Sequence, residues 1–339
     1  MPPINILIKP ASSACNMACQ YCFYKDVAAH REQEFEGMLS IESIEKVIQA
    51  GMEYAEHICS FAFQGGEPTL AGLDFYRQVV VLQKQYAKPG VEIRNAIQTN
   101  GYTIDEEWAA FFAENHFLVG LSLDGPPELH NRNRTDVQGK DTFNRVMKSV
   151  RLLEKHNVAF NILCVVTGQN ARSVEKLYRF YRKQKFRWLQ FIPCIDPFDR
   201  ADGEPCYTLT ADGYGDFLVR LFDLWFDDLR HGEYISIRHL DNWLSILLGE
   251  RPEACNMAAA RCSSLWRATA VCILVIFMCW MNGGWETSEK LVWLICRTAR
   301  LQKDSFGSRL PYRRSARPVS GSACAATAAV VTEISCRTA

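Results

Sequence analysis

The sequence predicts an α/β fold built around a parallel sheet that winds in one direction. Short apolar runs, rich in β-branched and aromatic residues, alternate with longer amphipathic stretches in six repeats along the first 230 residues. No hairpin signal joins two consecutive runs. The polar motifs described below each follow a run directly, as is typical of the carboxyl edge of a parallel sheet.

The strand candidates are the apolar runs at residues 4–9, 59–64, 91–98, 117–123, 159–166 and 188–193. The helix candidates cover residues 40–55, 73–86, 104–115, 141–155, 173–184, 211–230 and 240–249. Ser40, followed by Glu42 and Ser43, provides N-cap chemistry at the start of the first of these helices. Because strands and helices alternate, consecutive strands are expected to pair in parallel.

Charge and composition argue against two kinds of partner. The 339 residues carry 38 basic and 38 acidic side chains, so no excess of one sign favours nucleic acid or an anionic membrane. The start of the chain shows no signal peptide, and the longest apolar run, residues 268–281, is shorter than the roughly 20 residues that a membrane span needs. Fourteen cysteines without an export signal are typical of metal ligands and buried thiols, and indicate the cytoplasm.

Three of the cysteines form a compact motif. Cys15, Cys19 and Cys22 have the spacing C-x3-C-x2-C in the loop that follows the first predicted strand. Three thiolates on one short loop can each bind one iron of a 4Fe–4S cubane and leave the fourth iron open to a further ligand. A zinc site or three unrelated thiols are the alternatives. Zinc requires four ligands and no further cysteine or histidine stands close by, so the spacing favours the cluster.

This motif, with an aromatic residue before its last cysteine, resembles the radical S-adenosylmethionine (SAM) superfamily. Three further motifs follow the second, third and fourth predicted strands in that superfamily's order: GGEP at residues 65–68, QTNG at 98–101 and SLDGP at 122–126. The resemblance implies a partial, open (β/α)6 TIM-like barrel over residues 1–230. It also implies that SAM binds the open iron and that one electron from the cluster cleaves it to a 5′-deoxyadenosyl radical.

A narrower resemblance covers residues 4–262 and points to the anaerobic sulfatase-maturating enzymes. The segments that carry it are QYCFY, FQGGEPTLAG, IQTNGY, SLDGP, FNILCVVT, LQFIPC and YISIRHLDNWL. It implies oxidation of a cysteine or serine of a sulfatase polypeptide to Cα-formylglycine, with an electron donor such as flavodoxin or ferredoxin. It also implies SAM contacts at Tyr21, Gly66, Ser122, Arg134 and Ile195, the last through its backbone or its packing.

Beyond the barrel, the resemblance implies a helical linker at residues 231–263 that opens a cysteine-rich extension. Cys255 and Cys262 are the implied first ligands of the auxiliary 4Fe–4S clusters that the family holds there. After Ser263, the family pattern QFV-E-x-DGSVYPCDFYVLD is replaced by SLWRATAVCILVIFMCWM. When codons permitted for this segment are read in a shifted frame, they give QFVEGDGSVYPCDFYVLD and restore the pattern.

We therefore predict a single-nucleotide deletion after the Ser263 codon and a poorly ordered, out-of-frame tail at residues 264–339, with a divergent tail as the alternative. Four positions of this tail become cysteines in the shifted frame, with the family's spacing C-x2-C-x5-C-x3-C; they are Ala316, Val319, Ala325 and Ala329. The family's proton acceptor, the aspartate of YPCD, is lost. No catalytic residue is therefore assigned to this chain, and at most a partial auxiliary cluster is expected.

Two classes of function stay open beside sulfatase maturation. A different radical SAM peptide maturase, acting on a ribosomal peptide, would share both the barrel and the cysteine-rich extension. A non-catalytic iron–sulfur or zinc protein, or an inactive remnant, would keep the three cysteines without the reaction. Metal analysis and an EPR signal that shifts when SAM is added distinguish the second class from the first.

Overall fold

The computed structural model describes residues 4–196 and 207–250, together with the backbones of two strands at residues 262–266 and 272–276. All six predicted strands are present and pair in parallel, each with the next along the chain. They are β1 (Ile4–Ile8), β2 (Ile58–Phe63), β3 (Glu92–Thr99), β4 (Leu118–Ser122), β5 (Phe160–Val166) and β6 (Trp188–Pro193). The predicted α/β fold with a parallel sheet is thus confirmed.

Nine helices lie in the described residues, and seven of them match the predicted ones. The helices are α1 (Phe23–Ala29), α2 (Ile41–Tyr54), α3 (Leu73–Tyr86), α4 (Glu106–Glu114), α5 (Pro127–Asn133), α6 (Phe143–Lys155), α7 (Val174–Lys183), α8 (Ala211–Arg230) and α9 (Arg238–Leu247). The predicted N-cap is confirmed, since the hydroxyl of Ser40 accepts a hydrogen bond from the amide of Ser43 at 3.2 Å. The sequence analysis did not predict α1 and α5, whose seven residues each are too few to show a helical period.

Three further strands were not predicted. The two-residue β7 (Ser236–Ile237) continues the parallel sheet beside β6. At the other edge, β8 (Cys262–Trp266) pairs in parallel with β1, and β9 (Cys272–Ile276) pairs antiparallel with β8. The predicted out-of-frame tail begins at residue 264, within β8, and contains all of β9. Of that tail, residues 267–271 and 277–339 lie outside the described part of the chain, so its predicted poor order stays a prediction.

The core lies between the sheet and the helices that cover its outer face. Strand β2 shows how the sequence builds it, because alternate side chains point to the same side and Cys59, Phe61 and Phe63 are fully buried. Phe63 packs edge-to-face on Tyr76 of α3, with ring centroids 5.1 Å apart. Each fully buried side chain of this size contributes roughly 1.5–3 kcal/mol. This packing fixes the carboxyl ends of the strands, where the predicted site residues lie.

The helices are amphipathic and are positioned by one apolar face. Helix α8 is an example: Phe217, Leu221 and Trp225 are buried at spacings of four residues, and the indole Nε1–H of Trp225 donates to the carbonyl of Ile235 at 2.8 Å. Within the described ranges, no helix combines the length and the apolar content that crossing a bilayer demands.

Candidate functional site

The loop that follows β1 carries Cys15, Cys19 and Cys22, all half-buried free thiols. A second segment, the end of α5 and the loop after it, holds it in place. The amide of Ala18 donates to the carbonyl of Thr135 at 2.8 Å, and the amide of Gln20 donates to the carbonyl of Asn133 at 2.9 Å. Nearer the first cysteine, the amide of Met17 donates to the Cys15 sulfur at 3.4 Å. The thiols are therefore presented by a backbone that is already fixed.

The arrangement of these thiols is compatible with a cubane cluster. Among the described residues, no three cysteine, histidine, aspartate or glutamate side chains are placed to hold one metal ion. A cubane does not require that placement, because each thiolate binds a different iron. Burial raises the pKa of Cys15 to about 12 and also raises the pKa of Cys19. The metal-free thiols of Cys15 and Cys19 are therefore protonated at neutral pH, and cluster binding must displace these protons.

Gly66, in the loop after β2, lies against the backbone of the cysteine loop. Its φ of +57° is in the left-handed region, and a Cβ at this position would stand 2.4 Å from the carbonyl oxygen of Ala14 and 2.9 Å from that of Ser12. The next amide, that of Glu67, donates to the same Ala14 carbonyl at 2.8 Å. Only glycine fits this approach, which brings the GGEP backbone beside the cysteines.

The buried carboxylate of Glu67 connects two of the motif loops. Oε1 accepts from the hydroxyls of Thr69 and Thr99, both at 2.7 Å, and from the Thr69 amide at 3.1 Å; Oε2 accepts from the Asn100 amide at 2.8 Å. Burial raises the pKa of Glu67, and these four bonds oppose the rise because they favour the charged form. With its lone pairs so occupied, Glu67 holds the GGEP and QTNG loops together.

Asp124, two residues after β4, binds side chains from two other loops of the site. Its buried Oδ2 accepts from the hydroxyl of Tyr21 and, at 3.0 Å, from Nε of Arg134, while Oδ1 accepts from the amide of Val165 at 3.0 Å. The Arg134 guanidinium also lies 5.4 Å from the centre of the Tyr21 ring. Its Nη1 is 3.8 Å from the Cys19 sulfur. The positive charge of Arg134, which is buried next to the Cys19 sulfur, is thus compensated by the carboxylate of Asp124.

His130 in α5 fixes the backbone around this ion pair. Its Nδ1 accepts from the Asp124 amide at 3.2 Å, so the proton is assigned to Nε2, which donates to the Thr142 hydroxyl at 3.1 Å. The Thr142 hydroxyl then donates to the carbonyl of Arg134 at 2.7 Å. Burial lowers the pKa of His130 to about 3, which keeps the ring neutral. Both members of the Asp124–Arg134 pair are therefore held through their main chains as well.

A cavity of about 580 Å³ opens beside the cysteine loop. Cys19, Tyr21 and Cys22 line one side of it, and Ile195 and Tyr207 line another. Ile195 lies two residues after the end of β6 and is 56 % exposed, so it offers backbone and apolar surface to this space. The cavity can admit a ligand of the size of a nucleoside next to the thiols.

The structure brings most of the sequence-predicted site residues together. Tyr21 and Arg134 both hydrogen-bond to Asp124. Gly66 lies against the backbone of the cysteine loop, and Ile195 lines the same cavity as Tyr21. Ser122 is buried at the end of β4, two residues before Asp124. Of the predicted auxiliary ligands, Cys255 lies outside the described residues, and only the backbone of Cys262 is described, in β8.

Sequence reasoning assigned no role to three residues that organise the site. Asp124 and Glu67 stand inside the SLDGP and GGEP motifs, and a carboxylate in the loop that follows a buried strand was the available signal. His130 had no such signal, because its contacts with the Asp124 amide and with Thr142 join positions 6 and 12 residues away.

Comparison with known proteins identifies the family. The profile of the radical SAM superfamily matches residues 10–181. A cysteine-type anaerobic sulfatase-maturating enzyme of Clostridium novyi is 47% identical over 257 residues, which are 76% of this chain and 69% of that protein. The chain belongs to the anaerobic sulfatase-maturating enzymes of the radical SAM superfamily.

Two further members extend the comparison. A serine-type maturating enzyme of Bacteroides thetaiotaomicron is 34% identical over 277 residues, covering 76% of this chain and 65% of the relative. The solved structure of anSMEcpe with bound AdoMet and the Kp18Cys peptide superposes with a TM-score of 0.75 at 44% identity, over 81% of this chain and 74% of that one. The identity to the cysteine-type maturase is thus higher than that to the serine-type maturase.

Proposed function

We propose that this chain binds a 4Fe–4S cluster and SAM and cleaves SAM reductively, as the first half of a sulfatase maturation reaction. When bound, the cluster and SAM supply the chemistry of the superfamily: one-electron cleavage to a 5′-deoxyadenosyl radical that abstracts hydrogen. The observation that carries the proposal is the position of Cys15, Cys19 and Cys22. They lie on one fixed loop, beside a buried arginine and a cavity of nucleoside size.

We assign SAM contacts to Tyr21, Gly66, Ser122, Arg134 and Ile195. Arg134 supplies a buried positive charge that suits a carboxylate ligand. Gly66 has no side chain, so its loop backbone can approach a bound ligand closely. Ile195 offers an exposed apolar surface and a main chain at the edge of the cavity.

The proposed substrate is a sulfatase polypeptide whose cysteine or serine is oxidised to Cα-formylglycine. Support comes from the 47% identity to a cysteine-type maturase and from the likeness to anSMEcpe, whose structure holds both AdoMet and a peptide. The electron donor is proposed to be a flavodoxin or ferredoxin, and neither nucleic acid nor a membrane is a proposed partner. Fourteen cysteines, three of them proposed cluster ligands, favour a reducing compartment, which we take to be the cytoplasm.

We further propose that the chain is divided into a barrel at residues 1–230, a linker at 231–263 and an out-of-frame tail at 264–339. On this division the maturation base and most auxiliary cluster ligands are absent, and no catalytic residue is assigned. The function that this chain retains in full is then SAM cleavage. Formylglycine production belongs to a version of the chain with the frame restored.

The test is anaerobic reconstitution of the full chain with iron and sulfide, followed by dithionite and SAM. We expect a brown protein that releases 5′-deoxyadenosine. The triple variant in which Cys15, Cys19 and Cys22 are changed to alanine should lose both the colour and the product. SAM cleavage that survives in the triple variant would refute the assignment.

The substrate class is tested separately by supplying peptides to the frame-restored protein. A sulfatase-derived peptide and an unrelated ribosomal peptide of equal length are compared by hydrazide capture of the aldehyde. Modification of the unrelated peptide alone would point to a different radical SAM peptide maturase. Absence of a cluster from the reconstituted protein would leave only a non-catalytic function.

A further inference from the structure

Two of the three cysteine sulfurs face a side-chain nitrogen from another loop. Asn100 Nδ2 lies 3.7 Å from the Cys15 sulfur, and Arg134 Nη1 lies 3.8 Å from the Cys19 sulfur. Both distances are within the range of hydrogen bonds to sulfur. Asn100 comes from the loop after β3 and Arg134 from the end of α5, so two separate elements direct donors at the cysteine loop.

Each donor is held in this orientation by other contacts. The side-chain oxygen of Asn100 accepts from the Tyr102 amide at 2.9 Å, which turns the NH2 group toward Asn16 Oδ1, at 2.8 Å, and toward Cys15. The backbone amide of Asn100 is bound to Glu67. Nε of Arg134 donates to Asp124, and because the guanidinium group is planar, this bond directs Nη1 toward the Cys19 sulfur. Both side chains are buried.

We propose that Asn100 and Arg134 are positioning residues that set the reduction potential of the proposed cluster. One added electron increases the negative charge on the coordinating sulfurs. A hydrogen bond or a buried cation at those sulfurs therefore stabilises the reduced state more than the oxidised state and raises the potential. The chain's own donors would then allow a weaker reductant to load the cluster. This inference rests on the proposed function, because it requires the cluster.

The test is a potentiometric titration of the reconstituted full chain without SAM, followed by EPR of the reduced cluster. Asn100→Ala removes the donor without adding a charge, and Arg134→Lys keeps a cation beside Asp124 but loses the fork. We expect both to lower the midpoint potential. At a fixed ambient potential, the ratio of reduced to oxidised cluster should fall about tenfold, which is 59 mV for a one-electron couple.

Asn100→Asp should lower the potential further, because the carboxylate keeps the acceptor for the Tyr102 amide but replaces the donor with a negative charge. The matched control is Asn95→Asp, where the same change falls on a residue that hydrogen-bonds to Gln83 of α3 instead of a cysteine. The control should leave the potential unchanged. A shift in Asn95→Asp equal to that in Asn100→Asp would show a general charge effect and overturn the inference.

The outcomes separate this inference from the proposed function. No cluster in the parent chain refutes the proposed function, and the inference with it. An intact cluster whose potential is unchanged in both Asn100→Ala and Arg134→Lys overturns the inference alone. Loss of the cluster from every variant, with the parent cluster retained, also overturns it, because the donors would then be needed for assembly. A lowered potential with normal iron content supports it.

Discussion

Residues 1–263 carry 34 acidic and 28 basic side chains, whereas residues 264–339 carry 4 acidic and 10 basic ones. Among the described residues, those that the structure places around Cys15, Cys19 and Cys22 belong to the first part. The second part contributes most of β8 and all of β9, which extend the sheet by backbone pairing at the β1 edge. The 257-residue alignment with the Clostridium novyi maturase leaves about a quarter of the chain unmatched.

On the proposed division, cofactor binding and completion of the reaction are specified by separate stretches of the chain. The motifs for the cluster and SAM end within the barrel, while the resemblance places the proton acceptor and all the auxiliary cysteines except Cys255 and Cys262 after Ser263. One stretch can therefore change while the other keeps its chemistry. Four experiments on this chain test the division, in order of decreasing expected effect.

The largest effect is expected from restoring the frame. If the proposed deletion is present, one C inserted after the Ser263 codon returns the aspartate of YPCD and the four cysteines at positions 316, 319, 325 and 329. The segment now in that place, residues 271–276, contains no carboxylate, and a general base must stand within hydrogen-bond reach of its proton. We expect formylglycine from the restored chain and none from the present one, measured by hydrazide capture on a sulfatase-derived peptide.

The control for this comparison is the release of 5′-deoxyadenosine, which both chains should show. Equal formylglycine yields from the two chains would mean that residues 264–339 are a functional replacement and that the division is wrong. If neither chain cleaves SAM, the failure lies in the barrel instead.

A second prediction concerns the cysteines of the tail. Five of them are present, and their spacing is unlike that of the family's cluster ligands; they are Cys272, Cys279, Cys296, Cys324 and Cys336. Changing all five to serine should leave the rate of SAM cleavage and the iron bound at the barrel unchanged. Changing Cys15, Cys19 and Cys22 to serine should abolish both. Loss of cleavage in the five-fold variant would show that the tail takes part in cofactor binding.

Much of this organisation could be predicted from the sequence, for a physical reason. A strand buried in a parallel sheet leaves a continuous apolar run, so strands β1 to β6 were found, and glycines with a positive φ mark the loops that follow several of them. Helices α1 and α5 and strand β7 leave too short a pattern. The pair of Asp124 and Arg134 could not be derived from the pattern, because a contact between a loop and a helix end depends on the folded path of the chain.

A third prediction tests how tightly the GGEP loop packs on the cysteine loop. Gly66→Ala places a Cβ 2.4 Å from a backbone oxygen at a φ of +57°, and should lower the free energy of unfolding by roughly 3 kcal/mol, the upper end for backbone strain. Gly139 has a φ of +77°, and no atom lies within 4 Å of the Cβ that Gly139→Ala adds. This variant should therefore lower the free energy of unfolding by only about 1 kcal/mol, the cost of the left-handed backbone. Urea titration of both variants measures the difference.

The iron content distinguishes a local from a global effect of these variants. Gly66→Ala should bind less iron after reconstitution, since the cysteine loop must move to accept the methyl group. Gly139→Ala should bind as much as the parent chain. Equal stability losses with normal iron in both would show that the two loops are not packed as described.

The smallest effect is expected at His130, within the barrel part alone. Its folded pKa of about 3 lies below the ordinary value of 6.5, so the unfolded chain binds this proton more readily. Stability is then unaffected by this group above pH 6.5 and falls as the pH decreases from 6.5 towards 3, by up to 1.36 kcal/mol per pH unit. His130→Asn keeps an acceptor for the Asp124 amide but cannot take up a proton, so the metal-free chain should lose stability less steeply between pH 6.5 and 5 in urea titrations. His231→Asn, a change at an exposed histidine that follows α8, is the matched control and should keep the parent's pH dependence. If His130→Asn retains the parent slope, the buried imidazole is not the group that makes the barrel sensitive to acid.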